Sequence, residues 1–290
     1  MGQTRIALAA ACIGVPLALA AAIAVRSWQS AVAEFSPARE EIHWPAAAPP
    51  PQGKADVQFA SAGGDLIRGW YVPSRNGAGV ALVHGTDSDR THFVPEIEDL
   101  SARGFGVLAY DEPGCGESGG RVTWGPSERA ALRAALGWLR DTARLQHVGV
   151  VGFSQGAYIA AQVAPDDDRV EALVLEGAVA NFKEQTWHEY GRWGALSEWP
   201  AWLSRRAHGY AASDAQPEQV LARFHRPLLV IGGDADTVVP ASSAARLFAL
   251  APGPKQRWIV PGAHHGDYAL VAPSEYGARL AAFLAGALLR

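Results

Sequence analysis

The most informative segment of the chain is VGVVGFSQGAY, from Val148 to Tyr158. It opens with a continuous apolar run, which is typical of a strand buried on both faces, and it ends in a segment of helical periodicity. Between the two lies Gly-x-Ser-x-Gly, centred on Ser154. A serine at such a sharp strand-to-helix turn is held in a strained conformation that projects its hydroxyl outward. The stretch therefore predicts an exposed nucleophile, with a plain helix-capping serine as the alternative.

Outward from this stretch, short β-branched runs alternate with longer segments of helical period. Continuously apolar strands separated by enough residues for crossover helices are typical of a parallel sheet covered by helices on both faces. We therefore predict an α/β fold with a doubly wound, mostly parallel eight-stranded sheet that opens with a hairpin around Gly63-Gly64. The predicted strands are 56–60, 66–72, 80–83, 106–110, 148–151, 173–175, 228–231 and 258–260, and the predicted helices are about 91–103, 126–142, 155–164, 241–251 and 274–288.

The composition narrows the class of protein. The chain has 290 residues, of which 49% are hydrophobic and 19% charged, so it is expected to fold rather than remain disordered. It holds 25 Lys and Arg against 29 Asp and Glu, with no block of basic residues, which argues against nucleic acid as a partner. Two cysteines, Cys12 and Cys115, provide neither a disulfide framework nor a cysteine zinc site. The classes of protein that the composition leaves open are an enzyme and a binding domain.

The N-terminus carries a membrane signal. Twenty uncharged residues, Ile6 to Val25, lie between Arg5 and Arg26. As a helix they would span roughly 30 Å, about the thickness of the hydrocarbon core of a bilayer. Residues 1–26 are therefore predicted to be a signal anchor, and the small residues of Ala31-Val32-Ala33 leave a cleaved signal peptide as the alternative.

Either form of this signal leads to a similar expected location for the rest of the chain. We expect the domain that follows to lie outside the cytoplasm, periplasmic or extracellular, and to be secreted if the signal is cleaved. Residues 27–54 read as an irregular, proline-rich linker, and the folded domain is expected at 55–290.

The alternation of strands and helices pauses at about 177–226, which predicts a small lid inserted into the domain. Its aromatic residues suit either a hydrophobic substrate and a membrane interface, or simple packing of the lid onto the sheet. Four of the ten tryptophans fall in this segment, namely Trp187, Trp193, Trp199 and Trp202.

Candidate partners for the serine lie downstream. A hydroxyl is a weak nucleophile at neutral pH, so Ser154 needs a base, and the base needs a group that orients it. Two acids follow a buried strand, where open α/β sheets build their sites, and two histidines follow the last strand. We predict Asp236 as the acid and His265 as the base, with Asp234 and His264 as the respective alternatives. A metal site at the paired histidines is not expected, because adjacent residues do not converge on one ion.

In this order along the chain, Ser154, Asp236 and His265 resemble the triad of the α/β-hydrolase superfamily. GDADTVVP at Gly233–Pro240 is similar to the loop that carries the acid in that family, which favours Asp236. The resemblance covers about residues 55–290 and points to the serine esterase or thioesterase-like branch with a small lid.

Two more stretches extend the resemblance. ALVHGT at Ala81–Thr86 is similar to the His-Gly turn of the family, which implies an oxyanion hole made by the backbone amides of Thr86 and Gln155. The segment Ala109–Gly119 is similar to a structural turn of the family. It contains a literal Gly-x-Gly-x-x-Gly at Gly114–Gly119, but no helix follows immediately, so a dinucleotide site is not expected.

The resemblance implies a carboxylesterase-like serine hydrolase that cleaves a carboxylic ester or a thioester through an acyl-enzyme intermediate, with no cofactor and no metal. The expected partners are a small-molecule or lipid-like acyl substrate and, through the N-terminal helix, a membrane, with no obligate protein partner. An acyltransferase and a catalytically silent binding protein on the same fold are the alternatives. His84 is expected to serve the turn and Glu176 a structural role, with catalytic roles for either left open.

Overall fold

The computed structural model describes residues 2–47, 49–210 and 216–289. Its strands are β1 Ala55–Ala60, β2 Leu66–Val72, β3 Ala78–Val83, β4 Gly106–Tyr110, β5 His147–Phe153, β6 Val170–Glu176, β7 Leu228–Gly233 and β8 Lys255–Val260. They form one sheet in the order β1-β2-β4-β3-β5-β6-β7-β8, in which the pairs β1–β2 and β2–β4 are antiparallel and all other pairs are parallel. The predicted mostly parallel sheet and its opening hairpin are confirmed.

Helices cover both faces of this sheet. The α-helices are α1 Gly2–Ala33, α2 Val94–Ala102, α3 Pro126–Gly137, α4 Gln155–Val163, α5 Phe182–Tyr190, α6 Ala195–Ala207, α7 Pro217–Val220, α8 Ala241–Leu250, α9 Tyr268–Val271 and α10 Pro273–Leu288. Residues of β3 alternate between two hydrophobic clusters: Ala81 and Val83 pack on the side of α3 and α4, whereas Val80 and Leu82 pack on the side of α2 and α10. Burial on both faces explains the continuous apolar runs of the sequence.

The first helix is longer than the sequence predicted. The expectation that the chain becomes irregular at Ser27 is wrong, because α1 continues to Ala33. The buried residues Ser27 and Ala31 are four positions apart and so share one face of α1, which packs along α6; Phe35, just beyond the end of the helix, is buried as well. Tertiary packing therefore extends the helix by two turns beyond the last long apolar run, up to the segment before Pro37.

Part of α1 meets the requirements of a membrane span. Within the described residues, one helical segment, Val15–Ala33, is long and apolar enough to cross a bilayer, and most of it is exposed. Its last turn contains the small-residue motif Ala31-Val32-Ala33, whose first residue is fully buried.

The segment after α1 lies against the domain. The Arg39 Nε donates to the carbonyl of Gly116 at 3.2 Å, and the Trp44 ring lies 5.2 Å from the ring of Trp70. Residues 37–45 form no helix or strand, as expected of an irregular linker, and they are held to the surface of the domain at these points.

The segment that joins β6 to β7 is helical. It contains α5, α6 and α7, and residues 211–215 between α6 and α7 lie outside the described part of the chain. Because the parallel strands β3, β5, β6, β7 and β8 all end at the same edge of the sheet, this segment and the loops after those strands meet there.

Candidate active site

Ser154 occupies the turn between β5 and α4. Its backbone has φ 52° and ψ −113°, a conformation that residues other than glycine rarely adopt. Its N–H donates to the carbonyl of Glu176 at 2.8 Å. The turn is tight because Gly156 passes close to β3: a Cβ at Gly156 would stand 2.0 Å from the carbonyl oxygen of Val83. This close contact between the two backbones therefore requires glycine at position 156.

His265 lies next to the serine hydroxyl. It follows β8, and its Nε2 is 2.9 Å from the Oγ of Ser154. The backbone of Gly177 passes close to the imidazole. A Cβ at this position, which has φ 53°, would lie 2.8 Å from the Cε1 of His265. The ring of Phe153 packs against the imidazole with centroids 4.9 Å apart. These contacts fix the orientation of the imidazole.

Asp236 lies on the far side of that imidazole. Its Oδ2 is 2.7 Å from the Nδ1 of His265, and its Oδ1 accepts the backbone N–H groups of Val238 and Val239 at 2.8 Å each. The Asp236 side chain is 1% exposed. A carboxylate accepts only, so Nδ1 carries the proton and Nε2 is free to accept the hydroxyl proton of Ser154. The three predicted side chains thus meet in one hydrogen-bonded line.

The neighbouring alternatives hold the loops instead. Asp234 Oδ1 accepts the backbone N–H of Gly262 at 2.6 Å, and His264 Nδ1 donates to the carbonyl of Ala235 at 2.9 Å. Both side chains are on exposed residues. Together they join the loop after β7 to the loop after β8, which carry Asp236 and His265.

The buried side chain of Glu176 is bound by Tyr276. The phenol oxygen of Tyr276 lies 2.9 Å from Glu176 Oε1 and 2.8 Å from Glu96 Oε1. A phenol has a single proton, so at least one of the two carboxyls must be protonated to satisfy both contacts. Burial raises the pKa of Glu176 to about 8 and that of Glu96 to about 7. Glu176 therefore belongs to a buried acid pair beneath the site.

His84 serves its turn. Its Nδ1 donates to the carbonyl of Gly85 at 2.8 Å, and its Nε2 accepts the N–H of Glu112 at 2.9 Å. Burial lowers the pKa of this imidazole to about 4, so it stays neutral. Both nitrogens are used to hold the loop after β3 to the loop after β4.

The expected oxyanion donors lie beside Ser154. Gln155 is the first residue of α4, and Thr86 follows the His-Gly turn after β3. The Thr86 hydroxyl lies 3.5 Å from Gln155 Oε1. Among the described residues, neither backbone N–H has a hydrogen-bond acceptor, and the first amides of a helix are open to an anion.

A cavity of about 470 Å³ opens above Ser154 and His265, under α5. One part of it is apolar. The residues that line this part are Trp124, Phe153, Val179, Val238 and Val239.

The other part of the cavity is polar, and the sequence did not predict it. It is lined by Gln185, Glu189 and Tyr190 of α5 and by Glu34, the residue that follows α1. The buried guanidinium of Arg205, on α6, binds both carboxylates. No local pattern marks Glu34, because its partner Arg205 lies 171 positions away.

The chain is similar to known proteins over most of its length. A family model described as the alpha/beta hydrolase fold matches residues 80–194, which include Ser154. An uncharacterized protein of Mycobacterium tuberculosis is 32% identical over 251 residues, which are 80% of this chain and 82% of that protein. The uncharacterized protein YfhR of Escherichia coli is 26% identical over 232 residues, 76% of each chain.

Solved structures share the architecture. The esterase Pf2001 of Pyrococcus furiosus is 25% identical with a TM-score of 0.71, over 87% of this chain and 98% of that one. Est1E of Butyrivibrio proteoclasticus, solved with ferulic acid bound, is 16% identical with a TM-score of 0.66, over 80% of this chain and 98% of that one. The second likeness concerns the fold alone.

Proposed function

Because the chain belongs to the α/β-hydrolase family, we propose that it is a serine hydrolase that cleaves a carboxylic ester or a thioester through an acyl-enzyme intermediate. The observation that carries the proposal is the pair of hydrogen bonds on His265, 2.9 Å to Ser154 and 2.7 Å to Asp236. The esterase Pf2001, among the solved relatives, supports an ester as the substrate.

In the proposed first half-reaction, the Oγ of Ser154 attacks the acyl carbonyl as His265 Nε2 takes its proton. The negative charge on the carbonyl oxygen is received by the backbone amides of Thr86 and Gln155. His265 then gives the proton to the leaving alcohol or thiol, and Asp236 stabilises the imidazolium throughout. In the second half-reaction the same imidazole takes a proton from water as the water oxygen attacks the acyl carbon, and it returns that proton to the Oγ of Ser154 as the bond to the acyl group breaks and the acid leaves.

The substrate proposed is one with a hydrophobic acyl or alcohol group. The apolar part of the cavity supports this, and so does the outer face of the lid. On α6, Leu196, Trp199 and Leu203 are 51%, 64% and 52% exposed and follow a helical spacing that places them on one face. Such a face is suited to the interface of a bilayer, where tryptophan is enriched.

The N-terminal helix is proposed to anchor the catalytic domain to a membrane, outside the cytoplasm. An uncleaved anchor is favoured over a cleaved signal because Glu34, one residue past Ala33, binds the buried Arg205. Cleavage after Ala33 would put a new ammonium group beside that guanidinium. Since Glu34 also lines the cavity, the active site would lie close to the point where α1 leaves the bilayer.

A panel of p-nitrophenyl esters with acyl chains of increasing length tests the proposal. We expect hydrolysis that rises with chain length and disappears in Ser154→Ala. Hydrolysis that persists in Ser154→Ala would contradict the serine mechanism, and a preference for short chains would contradict the hydrophobic substrate.

A further inference from the structure

The polar part of the cavity, here called the polar wall, consists of Glu34, Gln185, Glu189 and Tyr190. Behind it lies Arg205, whose side chain is 1% exposed. Arg205 donates from Nε to Glu34 Oε2 at 3.0 Å and from Nη2 to Glu34 Oε1 at 2.8 Å, and Nη2 also binds Glu189 Oε2. One cation therefore holds two carboxylates of the wall.

Burial raises the pKa of Glu34, but the bonds that Arg205 donates to both of its oxygens oppose this rise and favour the carboxylate. Each oxygen of Glu34 accepts from Arg205, and each oxygen of Glu189 accepts, one from Arg205 and one from the amide of Gln185 at 2.8 Å. A protonated carboxyl would have to donate from one of these oxygens. With two carboxylates and one guanidinium, the wall carries a net charge of one negative unit.

The donors of the wall are already used. The Tyr190 hydroxyl donates to Glu34 Oε1 at 2.8 Å, and the two amide hydrogens of Gln185 go to Glu189 and to the carbonyl of Val238 at 2.7 Å. The guanidinium of Arg205 is buried behind the wall, so its N–H groups are not open to the cavity. Two carboxylates provide about eight lone pairs, and the bonds described above do not use all of them. These side chains can therefore still accept hydrogen bonds from a ligand in the cavity.

The donor and acceptor pattern defines the complementary ligand. A hydroxyl, a protonated amine or a guanidinium donates hydrogen bonds and fits the wall. A carboxylate or a phosphate offers only acceptors and carries the same sign of charge, so it meets unpaired lone pairs and repulsion. The apolar part of the cavity is left for the hydrocarbon of the same substrate.

We propose that the polar wall makes this site select acyl substrates that carry a hydrogen-bond-donating, uncharged or cationic group near the ester and reject substrates that carry an anionic group there. The inference rests on the proposed function for the identity of the reacting bond. Glu34 and Glu189 act in it as specificity-determining residues, and the N-terminal segment thereby forms part of the substrate site.

The test uses two series of esters with the full chain. In the acyl series, p-nitrophenyl hexanoate carries an ω-hydroxyl, an ω-guanidino or an ω-carboxyl group. In the alcohol series, hexanoic acid is esterified with ethylene glycol or with glycolic acid. Values of kcat/KM are measured for the native chain, for Glu189→Gln and for Glu184→Gln. The last variant removes the same charge from α5 at an exposed position that pairs with Arg246, away from the cavity.

We expect at least one series to favour the donor-bearing ester over the carboxylate by about tenfold or more. Glu189→Gln should narrow that ratio by about threefold or more, because it removes the net charge of the wall, whereas Glu184→Gln should leave it unchanged. Equal or better hydrolysis of the carboxylate in both series would overturn the inference, and so would an equal narrowing by Glu184→Gln.

Binding of the same esters to Ser154→Ala is measured in parallel, so that selection is tested apart from chemistry. Selective binding without hydrolysis by the native chain would refute the proposed function and support the inference. If the native chain hydrolyses the esters, and hydrolysis and binding do not depend on the charge of the ester, the proposed function would be supported and the inference refuted.

Discussion

Replacing Asp236 by asparagine is expected to abolish most ester hydrolysis while the fold is kept. The Oδ1 of Asp236 accepts two backbone N–H groups, from Val238 and Val239. In Asp236→Asn the amide oxygen must take that place, which leaves the amide nitrogen facing His265 Nδ1, 2.7 Å away in the native chain. An amide NH₂ donates and does not accept, so the proton of the imidazole moves to Nε2.

The magnitude follows from that change of tautomer. With its proton on Nε2, the imidazole donates toward Ser154 and no longer accepts the hydroxyl proton at 2.9 Å. Loss of the correct tautomer in a serine triad lowers kcat by about 10⁴-fold, equivalent to about 5 kcal/mol in the activation free energy.

The assay is kcat/KM for a short p-nitrophenyl ester, with thermal unfolding measured on the same samples. Asp234→Asn is the matched control, because Asp234 lies two positions away and its Oδ1 accepts only the N–H of Gly262, which an amide oxygen also does. We expect that control to stay within about threefold of the native chain. A folded Asp236→Asn that keeps activity within tenfold of the native chain would contradict the role of Asp236 in setting the tautomer of His265.

Two further predictions concern the acid pair and the lid. Burial raises the pKa of Glu96 to about 7 and of Glu176 to about 8, so the pair stabilises the fold in its protonated form, and that contribution is lost as the pH rises from about 5 to about 8. Urea unfolding over this range should show the decline, and Glu176→Gln, which mimics the protonated acid, should flatten it; an unchanged slope would contradict the assignment. On α6, Trp199→Ser together with Leu203→Ser should lower hydrolysis of vesicle-embedded esters severalfold and leave p-nitrophenyl acetate hydrolysis unchanged, whereas equal loss on both substrates would argue against membrane contact by this face.

The parts of the fold that the sequence predicted are those governed by local rules. Strands such as β5 are buried on both faces, so they stand out as continuous apolar runs between glycine-rich turns. The turn at Ser154 is constrained by backbone contact at Gly156, which only glycine tolerates. Asp236 and His265 were predicted because they follow the carboxyl ends of strands, where open α/β sheets build their sites. The structure brings both of them to the serine.

The parts that the sequence did not predict depend on contacts between distant segments. The last turns of α1 are stabilised by α6, through small residues such as Ala31 that carry no strong periodic signal of their own. Glu34 enters the cavity because Arg205 and Tyr190 of the lid bind it. An ion pair between elements 171 positions apart leaves no trace in either local sequence, so this wall of the site required the three-dimensional arrangement.

Labelling with a serine-reactive fluorophosphonate probe, followed by mass spectrometry of the labelled peptide, tests most directly whether Ser154 is an activated nucleophile. We predict that the native chain is labelled at Ser154 within minutes and that His265→Ala, which leaves the serine in place, reacts far more slowly. A native chain that remains unlabelled, or one that is labelled elsewhere and equally well after Ser154→Ala, would show that Ser154 is not the activated nucleophile.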